Sequence, residues 1–161
     1  MKHMAEIRND NGISTLYVDG QPFQAFAGEV HNSAAYDPER MEIEIWEKME
    51  QSNLNTLIVP VYWETLEPEE GKYDFEWLDR AVSLAEKYGL KVIMCTPTPT
   101  PPAWLSKKYP DILIQRDNGV SIQHGRRQHA SWSSDRYRRY VENIVSRLAI
   151  RYGNHSAVIG W

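Results

Sequence analysis

The stretch Asn55-Thr-Leu-Ile-Val-Pro-Val-Tyr62 decides the fold, because it is a continuous apolar run rich in β-branched residues. Strands that are covered on both faces of a parallel sheet have this composition. A second apolar run, Leu90-Lys-Val-Ile-Met-Cys95, follows it along the chain. Between the two runs, apolar residues recur at helical spacing from Trp77 to Tyr88, and Gly89 is a typical helix end. A strand, a helix and a strand in this order predict a βαβ unit.

The same alternation extends in both directions along the chain. The further predicted elements are a strand within Phe23–Val30, a helix from Asp37, a helix over Ser134–Gly153 and a strand from Ser156. In the helix from Asp37, the positions at helical spacing are Met41, Ile45, Met49 and Ser52, and Ile43 and Trp46 widen this stripe, with Trp46 interpreted as a core residue. The order β-α-β-α-β-α-β predicts a parallel sheet, and both a doubly wound sheet and a (β/α)8 barrel have it. No glycine-rich phosphate loop follows a predicted strand, and the unusual polar residues come after strands. The sequence therefore favours an α/β fold of the (β/α)8 TIM-barrel type, with about its first four strands and three helices.

The domain organisation predicted for residues 1–161 is one partial (β/α)8 domain. Residues 5–22 are predicted as an N-terminal β-hairpin, since Asp19-Gly20 is a typical hairpin turn. Residues 1–4 resemble the remnant of an expression tag, so the sequence leaves the cellular location open. A complete barrel has about 250 residues. We therefore expect the chain to be the N-terminal part of a larger protein.

Composition excludes several classes of function. The 161 residues carry a net charge of −4 with both signs interspersed, which argues against a nucleic-acid partner. No apolar run reaches the roughly 18 residues of a membrane span. The single Cys95 excludes an internal disulfide and a multi-cysteine zinc site. Six Trp and nine Tyr against three Phe favour rings with a polar group, which pack in cores or line the clefts of polar ligands.

Several motifs identify a resemblance to a known enzyme family. The chain resembles the glycoside hydrolase family 42 β-galactosidases over roughly residues 20–161. The motifs that carry this resemblance are Glu67-Pro-Glu-Glu-Gly-Lys-Tyr-Asp-Phe-Glu-Trp-Leu-Asp79, Thr96-Pro-Thr-Pro-Thr-Pro-Pro-Ala-Trp-Leu-Ser-Lys-Lys-Tyr-Pro110, Gly125-Arg-Arg127 and Tyr152-Gly-Asn-His-Ser-Ala-Val-Ile-Gly-Trp161. Nearer the N-terminus, Gly28-Glu-Val-His-Asn-Ser33 and Asn53-Leu-Asn-Thr56 are more similar to family 35 β-galactosidases. Both families have a (β/α)8 barrel and a retaining mechanism.

The resemblance implies a β-galactoside or related oligosaccharide as substrate, and two catalytic glutamates about 5 Å apart. The acid/base glutamate of the family comes a few residues after the segment matched by Gly160-Trp161, and the nucleophile lies on the seventh strand. We therefore expect no catalytic residue within 1–161. Arg126 matches the first Arg of the family's Arg-Arg pair, which contacts the sugar in the glycone subsite, whereas Arg127 is interpreted as structural. Ala130 stands where the family has a zinc-binding Cys, so neither a metal nor a cofactor is predicted.

Three polar residues follow the first strand of the predicted barrel. Glu29, His31 and Asn32 are candidate sugar contacts, with a hydrogen-bonded plug at the top of the barrel as an equal alternative. Trp63 and Glu64 follow the second strand and are also candidate substrate-binding residues. Trp63 is either a platform for a sugar ring or a core residue.

Two further interpretations concern charges and histidines. Glu29 and Glu64 on neighbouring strands suggest an acid/base pair, but carboxylates so placed often pair with an arginine such as Arg126. His124, His129 and His155 have no metal-ligand spacing and are interpreted as exposed or hydrogen-bonded side chains.

Two alternatives to an enzyme fragment remain open. The chain is a half-barrel that self-associates as a homo-oligomer to cover its open sheet edges, or a non-catalytic module that binds galactosides. A defined dimer in light scattering favours the first alternative, and tight galactoside binding by the isolated chain favours the second.

Overall fold

The computed structural model describes residues 5–30 and 38–161, and seven strands and six α-helices lie within them. The strands are β1 Ala5–Asp10, β2 Ile13–Val18, β3 Gln21–Pro22, β4 Ala27–Glu29, β5 Thr56–Pro60, β6 Lys91–Cys95 and β7 Val158–Gly160. The helices are α1 Pro38–Met41, α2 Glu47–Gln51, α3 Trp63–Leu66, α4 Glu76–Lys87, α5 Ala103–Lys108 and α6 Asp135–Tyr152. None of these helices has the length and apolar character that crossing a membrane requires.

The chain forms two compact units, which are described separately. The first unit comprises the described residues up to Pro60 together with Glu76–Cys95 and Ile150–Trp161. The second unit comprises Val61–Phe75 and Thr96–Ala149. The first unit contains the strands, and the second contains the segments that follow β5 and β6 along the chain.

The first unit contains a four-stranded parallel sheet in the order β4-β5-β6-β7. Thr56 is the partner of Ala27 on one side and of Lys91 on the other, and the register shifts between Val92 and Ile93 where β6 meets β7. Strands that are neighbours in sequence are thus neighbours in the sheet, as in a barrel. In a doubly wound sheet, by contrast, the order of the strands reverses at the first strand, so that later strands are added on its other side. The sheet confirms the predicted α/β fold of the (β/α)8 type with its first four strands.

Strands β5 and β6 were predictable because one face is fully buried and the other is largely half-buried. Leu57, Val59, Val92 and Met94 are fully buried in these two strands. Helix α4 adds a buried stripe formed by Trp77, Leu78, Ala81, Val82, Leu84 and Ala85. The burial of each large apolar side chain contributes roughly 1.5–3 kcal/mol to the stability of the folded state, before the entropic cost of ordering that side chain is subtracted.

The end of α6 is joined to α4 by an ion pair in the first unit. Asp79 Oδ1 accepts hydrogen bonds from Arg151 Nε at 2.7 Å and from Tyr152 Oη at 2.7 Å, and Arg151 Nη2 bonds to Oδ2. The Arg151 guanidinium lowers the pKa of Asp79 below its ordinary value, while burial raises the pKa of Tyr152. These contacts join the last turn of α6 to α4.

The predicted first helix is present, but its interior is not regular α-helix. The helix begins as α1 and ends as α2, but residues Glu42–Trp46 between them form a π-helical turn. A π turn contains more residues than an α turn, so the buried position that follows Met41 is Trp46 rather than Ile45. Trp46 stacks on Tyr88 with ring centroids 5.8 Å apart, whereas Ser52 is exposed.

The N-terminal hairpin has one more strand than its turn at Asp19-Gly20 implies, because β1, β2 and β3 form an antiparallel sheet. Asp19 and Gly20 have φ angles of 52° and 79°, which is the type I′ turn that this dipeptide favours. Asn11 and Gly12 form an equivalent turn with φ angles of 54° and 85°. The sequence signal for this second turn is the Asn11-Gly12 dipeptide.

Candidate substrate-binding site

The predicted site residues are divided between the two units. Glu29 is the last residue of β4 in the first unit, and its side chain is exposed. Trp63, Glu64 and Arg126 belong to the second unit, where Glu64 and Arg126 are exposed. His31 and Asn32 lie outside the described residues.

Trp63 is buried at the start of α3. Its exposed fraction is 1%, and its Nε1 donates a hydrogen bond to Glu67 Oε2 at 2.8 Å. Its ring stacks against Tyr137, with centroids 6.4 Å apart and planes inclined by 28°. A sugar platform must present a free ring face. The position of Trp63 therefore favours a core residue over a sugar platform.

Glu67 is a buried carboxylate that the sequence reasoning did not single out. Its exposed fraction is 1%, and besides Trp63 its Oε1 accepts the backbone N–H of Gly71 at 2.9 Å. Its backbone carbonyl accepts Trp104 Nε1 at 2.7 Å. One residue thus joins α3, the loop after it and α5. A signal was present, since Trp63 and Glu67 are four residues apart, the spacing at which helical side chains meet.

Glu70 is the centre of an exposed polar cluster in the second unit. Its carboxylate accepts hydrogen bonds from Lys108, from Tyr140 and, at 3.0 Å, from Tyr109 Oη. The Lys108 ammonium, with help from the two phenols, lowers the pKa of Glu70 from its ordinary 4.5 to about 2. A carboxylate held ionised in this way has no proton to donate near neutral pH, so Glu70 is unsuited to be a general acid.

Arg126 lies in a loop made of turns after β6. Gly125 and Gln128 have φ angles of 102° and 57°, and the N–H of Gln128 donates to the Pro99 carbonyl oxygen at 2.9 Å. Immediately after the loop, Leu113 and Ala130 form an isolated antiparallel bridge. The residues that follow Arg126 are therefore hydrogen-bonded to other segments of the second unit.

The Arg126 loop lines a pocket of about 430 Å³. The pocket residues are Arg116, Val120, Ser121, Ile122, Gln123, His124, Gly125 and Arg126. Among them, Arg116 and Arg126 present charged donors and Gln123 an amide, a set suited to hydroxyl groups. Across the described part of the chain, the guanidinium of Arg126 has no hydrogen-bond acceptor, so its donors are available.

Two further observations concern the described residues. Glu64 forms no ion pair with Arg126 there, so the arginine pairing considered for this carboxylate is not seen in the described part of the chain. Residues 5–30 and 38–161 also contain no group of three His, Cys, Asp or Glu side chains arranged to hold a metal ion.

Comparison with known proteins decides the family. The pattern of glycoside hydrolase family 42, described as β-galactosidase, matches residues 35–161. The chain belongs to glycoside hydrolase family 42. It is 39% identical over 131 residues to β-galactosidase Bga of Halorubrum lacusprofundi, a match that covers 78% of this chain and 19% of that protein.

Solved structures of family 42 enzymes have the same fold over this region. A catalytic mutant of Gan42B, a family 42 β-galactosidase from G. stearothermophilus, is 38% identical with a TM-score of 0.75, covering 82% of this chain and 19% of that one. The cold-adapted β-galactosidase from Rahnella sp. R3 is 35% identical with a TM-score of 0.78, covering 85% of this chain and 20% of that one. The chain spans about a fifth of the length of these relatives.

The family 42 match separates the candidate residues by position. Trp63, Glu64 and Arg126 lie within residues 35–161, whereas Glu29, His31 and Asn32 precede them. The resemblance to family 42 predicted from the motifs is confirmed. It includes the Gly125-Arg-Arg127 motif that carries Arg126.

Proposed function

We propose that this chain forms part of the barrel of a retaining β-galactosidase and that Arg126 binds the galactose ring in its glycone site. The observation that carries the proposal is the exposed Arg126 guanidinium, which lines a pocket of about 430 Å³ within the region matched by family 42. The substrate class, a β-galactoside, comes from the named activity of the relatives.

The guanidinium suits this role because its N–H groups form a rigid, permanently charged fork. Donors in a fixed plane can bond two neighbouring sugar hydroxyls at once. They would hold the galactosyl ring while an acid protonates the leaving oxygen and a nucleophilic carboxylate attacks the anomeric carbon. Glu29, Gln123 and Glu64 are further candidate sugar contacts in this proposal.

The proposal assigns neither Glu29 nor Glu64 to catalysis. Retaining hydrolysis requires two carboxyl groups about 5 Å apart on opposite faces of the sugar. In the proposed enzyme both catalytic carboxylates lie outside residues 1–161, and this chain contributes binding.

The first experiment replaces Arg126 by Ala in the β-galactosidase that contains this chain. We expect kcat/KM for a chromogenic β-galactoside to fall at least about tenfold, or roughly 1.4 kcal/mol of transition-state stabilisation. Arg127→Ala is the matched control and should change kcat/KM less than about twofold. The melting temperature should barely change in either variant, because both arginines are exposed. Lost stability with unchanged kinetics would show that Arg126 is structural.

The second experiment assays residues 1–161 alone with the same substrate at high protein concentration. We expect no turnover, since acid and nucleophile act as a unit and removing them eliminates nearly all catalysis. Glu29→Gln and Glu64→Gln variants of the chain are assayed in parallel. Turnover that disappears in either variant would place a catalytic carboxylate in this chain and overturn the assignment.

A further inference from the structure

His129 is a buried histidine that the proposed function does not use. Its exposed fraction is 1%, and its Nδ1 lies 2.8 Å from the backbone carbonyl oxygen of Arg126. A carbonyl oxygen only accepts hydrogen bonds, so Nδ1 carries the proton in this contact. The ring of His129 therefore bonds directly to the peptide of the residue proposed to bind sugar.

The second ring nitrogen of His129 shows that core packing does not explain why a histidine stands at this position. His129 Nε2 is buried and has no hydrogen-bond partner among the described residues. An unpaired buried polar atom is costly, and an apolar side chain of similar size would fill the same space without that cost. What histidine provides that leucine cannot is the Nδ1–H donor to Arg126.

The backbone of His129 is itself fixed. Its carbonyl oxygen accepts the N–H of Ile114 at 2.9 Å, and the N–H of the preceding Gln128 donates to Pro99 at 2.9 Å. Arg126, three residues earlier, lies among turn residues, and its N–H has no backbone acceptor in the described part of the chain. The hydrogen bond from the imidazole thus connects the Arg126 peptide to the fixed backbone of residues 128 and 129.

We propose that His129 is a positioning residue, which fixes the Arg126 peptide and so directs its guanidinium toward the galactose ring. The inference rests on the proposed function of Arg126. Misplacing a binding group by about 1 Å can cost a hundredfold in rate, so this contact has a measurable consequence. His129 itself touches no substrate in this proposal and acts through Arg126.

The test is a double-mutant cycle in the β-galactosidase that contains this chain. His129→Leu removes the donor, and His129→Asn retains an N–H at about the position of Nδ1. We expect His129→Leu to lower kcat/KM about tenfold and His129→Asn to recover most of that loss. In the Arg126→Ala background, His129→Leu should change kcat/KM less than about twofold, because its effect passes through Arg126.

The outcomes separate this inference from the proposed function. If Arg126→Ala leaves kcat/KM unchanged, the proposed function itself is wrong. If Arg126→Ala lowers kcat/KM but His129→Leu does not, or if His129→Leu is equally harmful in both backgrounds, only the role of His129 is overturned.

A spectroscopic measurement keeps the inference testable if His129→Leu does not fold. Nitrogen-15 NMR of the unmodified protein, with the signal assigned through His129→Asn, reports which ring nitrogen carries the proton. We expect the proton on Nδ1, with a coupling between it and the Arg126 carbonyl carbon. A neutral ring protonated on Nε2 would break the contact with Arg126 and overturn the inference.

Discussion

Replacing Glu67 by Leu tests whether one buried carboxylate holds the second unit together. The substitution keeps a side chain of similar size and removes both carboxylate oxygens. Trp63 Nε1 and the N–H of Gly71 then lose their acceptor, and the Tyr73 phenol loses its interaction with the carboxylate. The backbone bond from Trp104 to the Glu67 carbonyl is left in place.

The hydrogen bonds from Trp63 and from Gly71 differ in how much their loss lowers the free energy of unfolding. Trp63 is 1% exposed, so its indole N–H remains buried without a partner, at a cost of about 1–3 kcal/mol. Gly71 is exposed, and water can replace the carboxylate at its N–H. The expected loss is therefore about 2 kcal/mol in the free energy of unfolding. In a domain of this size that lowers the melting temperature by about 4–8 °C.

The assay is thermal unfolding followed by circular dichroism, with Glu69→Leu as the matched control. Glu69 is exposed and pairs with Lys72, so its replacement should cost less than about 0.5 kcal/mol. Trp63→Phe removes the indole donor, and in that background Glu67→Leu should cost about 1–2 kcal/mol less. A Glu67→Leu variant with unchanged stability, or with the same loss in both backgrounds, would refute the reasoning.

Two further predictions concern Glu70 and Gly28. Glu70→Gln should lower the free energy of unfolding by about 1 kcal/mol at pH 7, the usual scale for a partly exposed charged cluster. Because the folded pKa of Glu70 is about 2 and its ordinary value is 4.5, this stability is present above pH 4.5 and is lost as pH falls toward 2. Denaturant unfolding at several pH values measures the difference between the two proteins, and a difference that does not shrink in acid contradicts the assignment. Gly28→Val should destabilise the protein by about 1–3 kcal/mol, since a Cβ at Gly28 would lie 2.9 Å from Met49 Sδ. Met49→Ala should relieve part of that loss in the double variant, and purely additive losses would contradict the packing.

The parts of the fold that were predictable are those in which burial repeats along the sequence. Strands β5 and β6 are fully buried on one face and largely half-buried on the other, so nearly every residue in them is apolar. The interior of the first helix was not predictable from helical spacing. Ile45 and Trp46 both lie on the predicted stripe, and the π turn makes Trp46 the fully buried one of the two, which the pattern of residue types does not distinguish.

At the candidate site, prediction from sequence has a different limit. A sequence motif indicates Arg126, but no motif indicates the contacts that support its loop. Arg126 is proposed from the residues beside it in sequence, so a motif is sufficient to make it a candidate. Glu67 and His129 support the second unit through single atoms, one carboxylate oxygen and one ring nitrogen, and their partners are an indole and a peptide carbonyl. Residue types alone do not indicate such contacts, since the same Glu or His is far more often exposed. It follows that grafting Gly125-Arg-Arg127 onto another loop would transfer the guanidinium without its direction, because the contact from His129 that fixes the Arg126 peptide lies outside the motif.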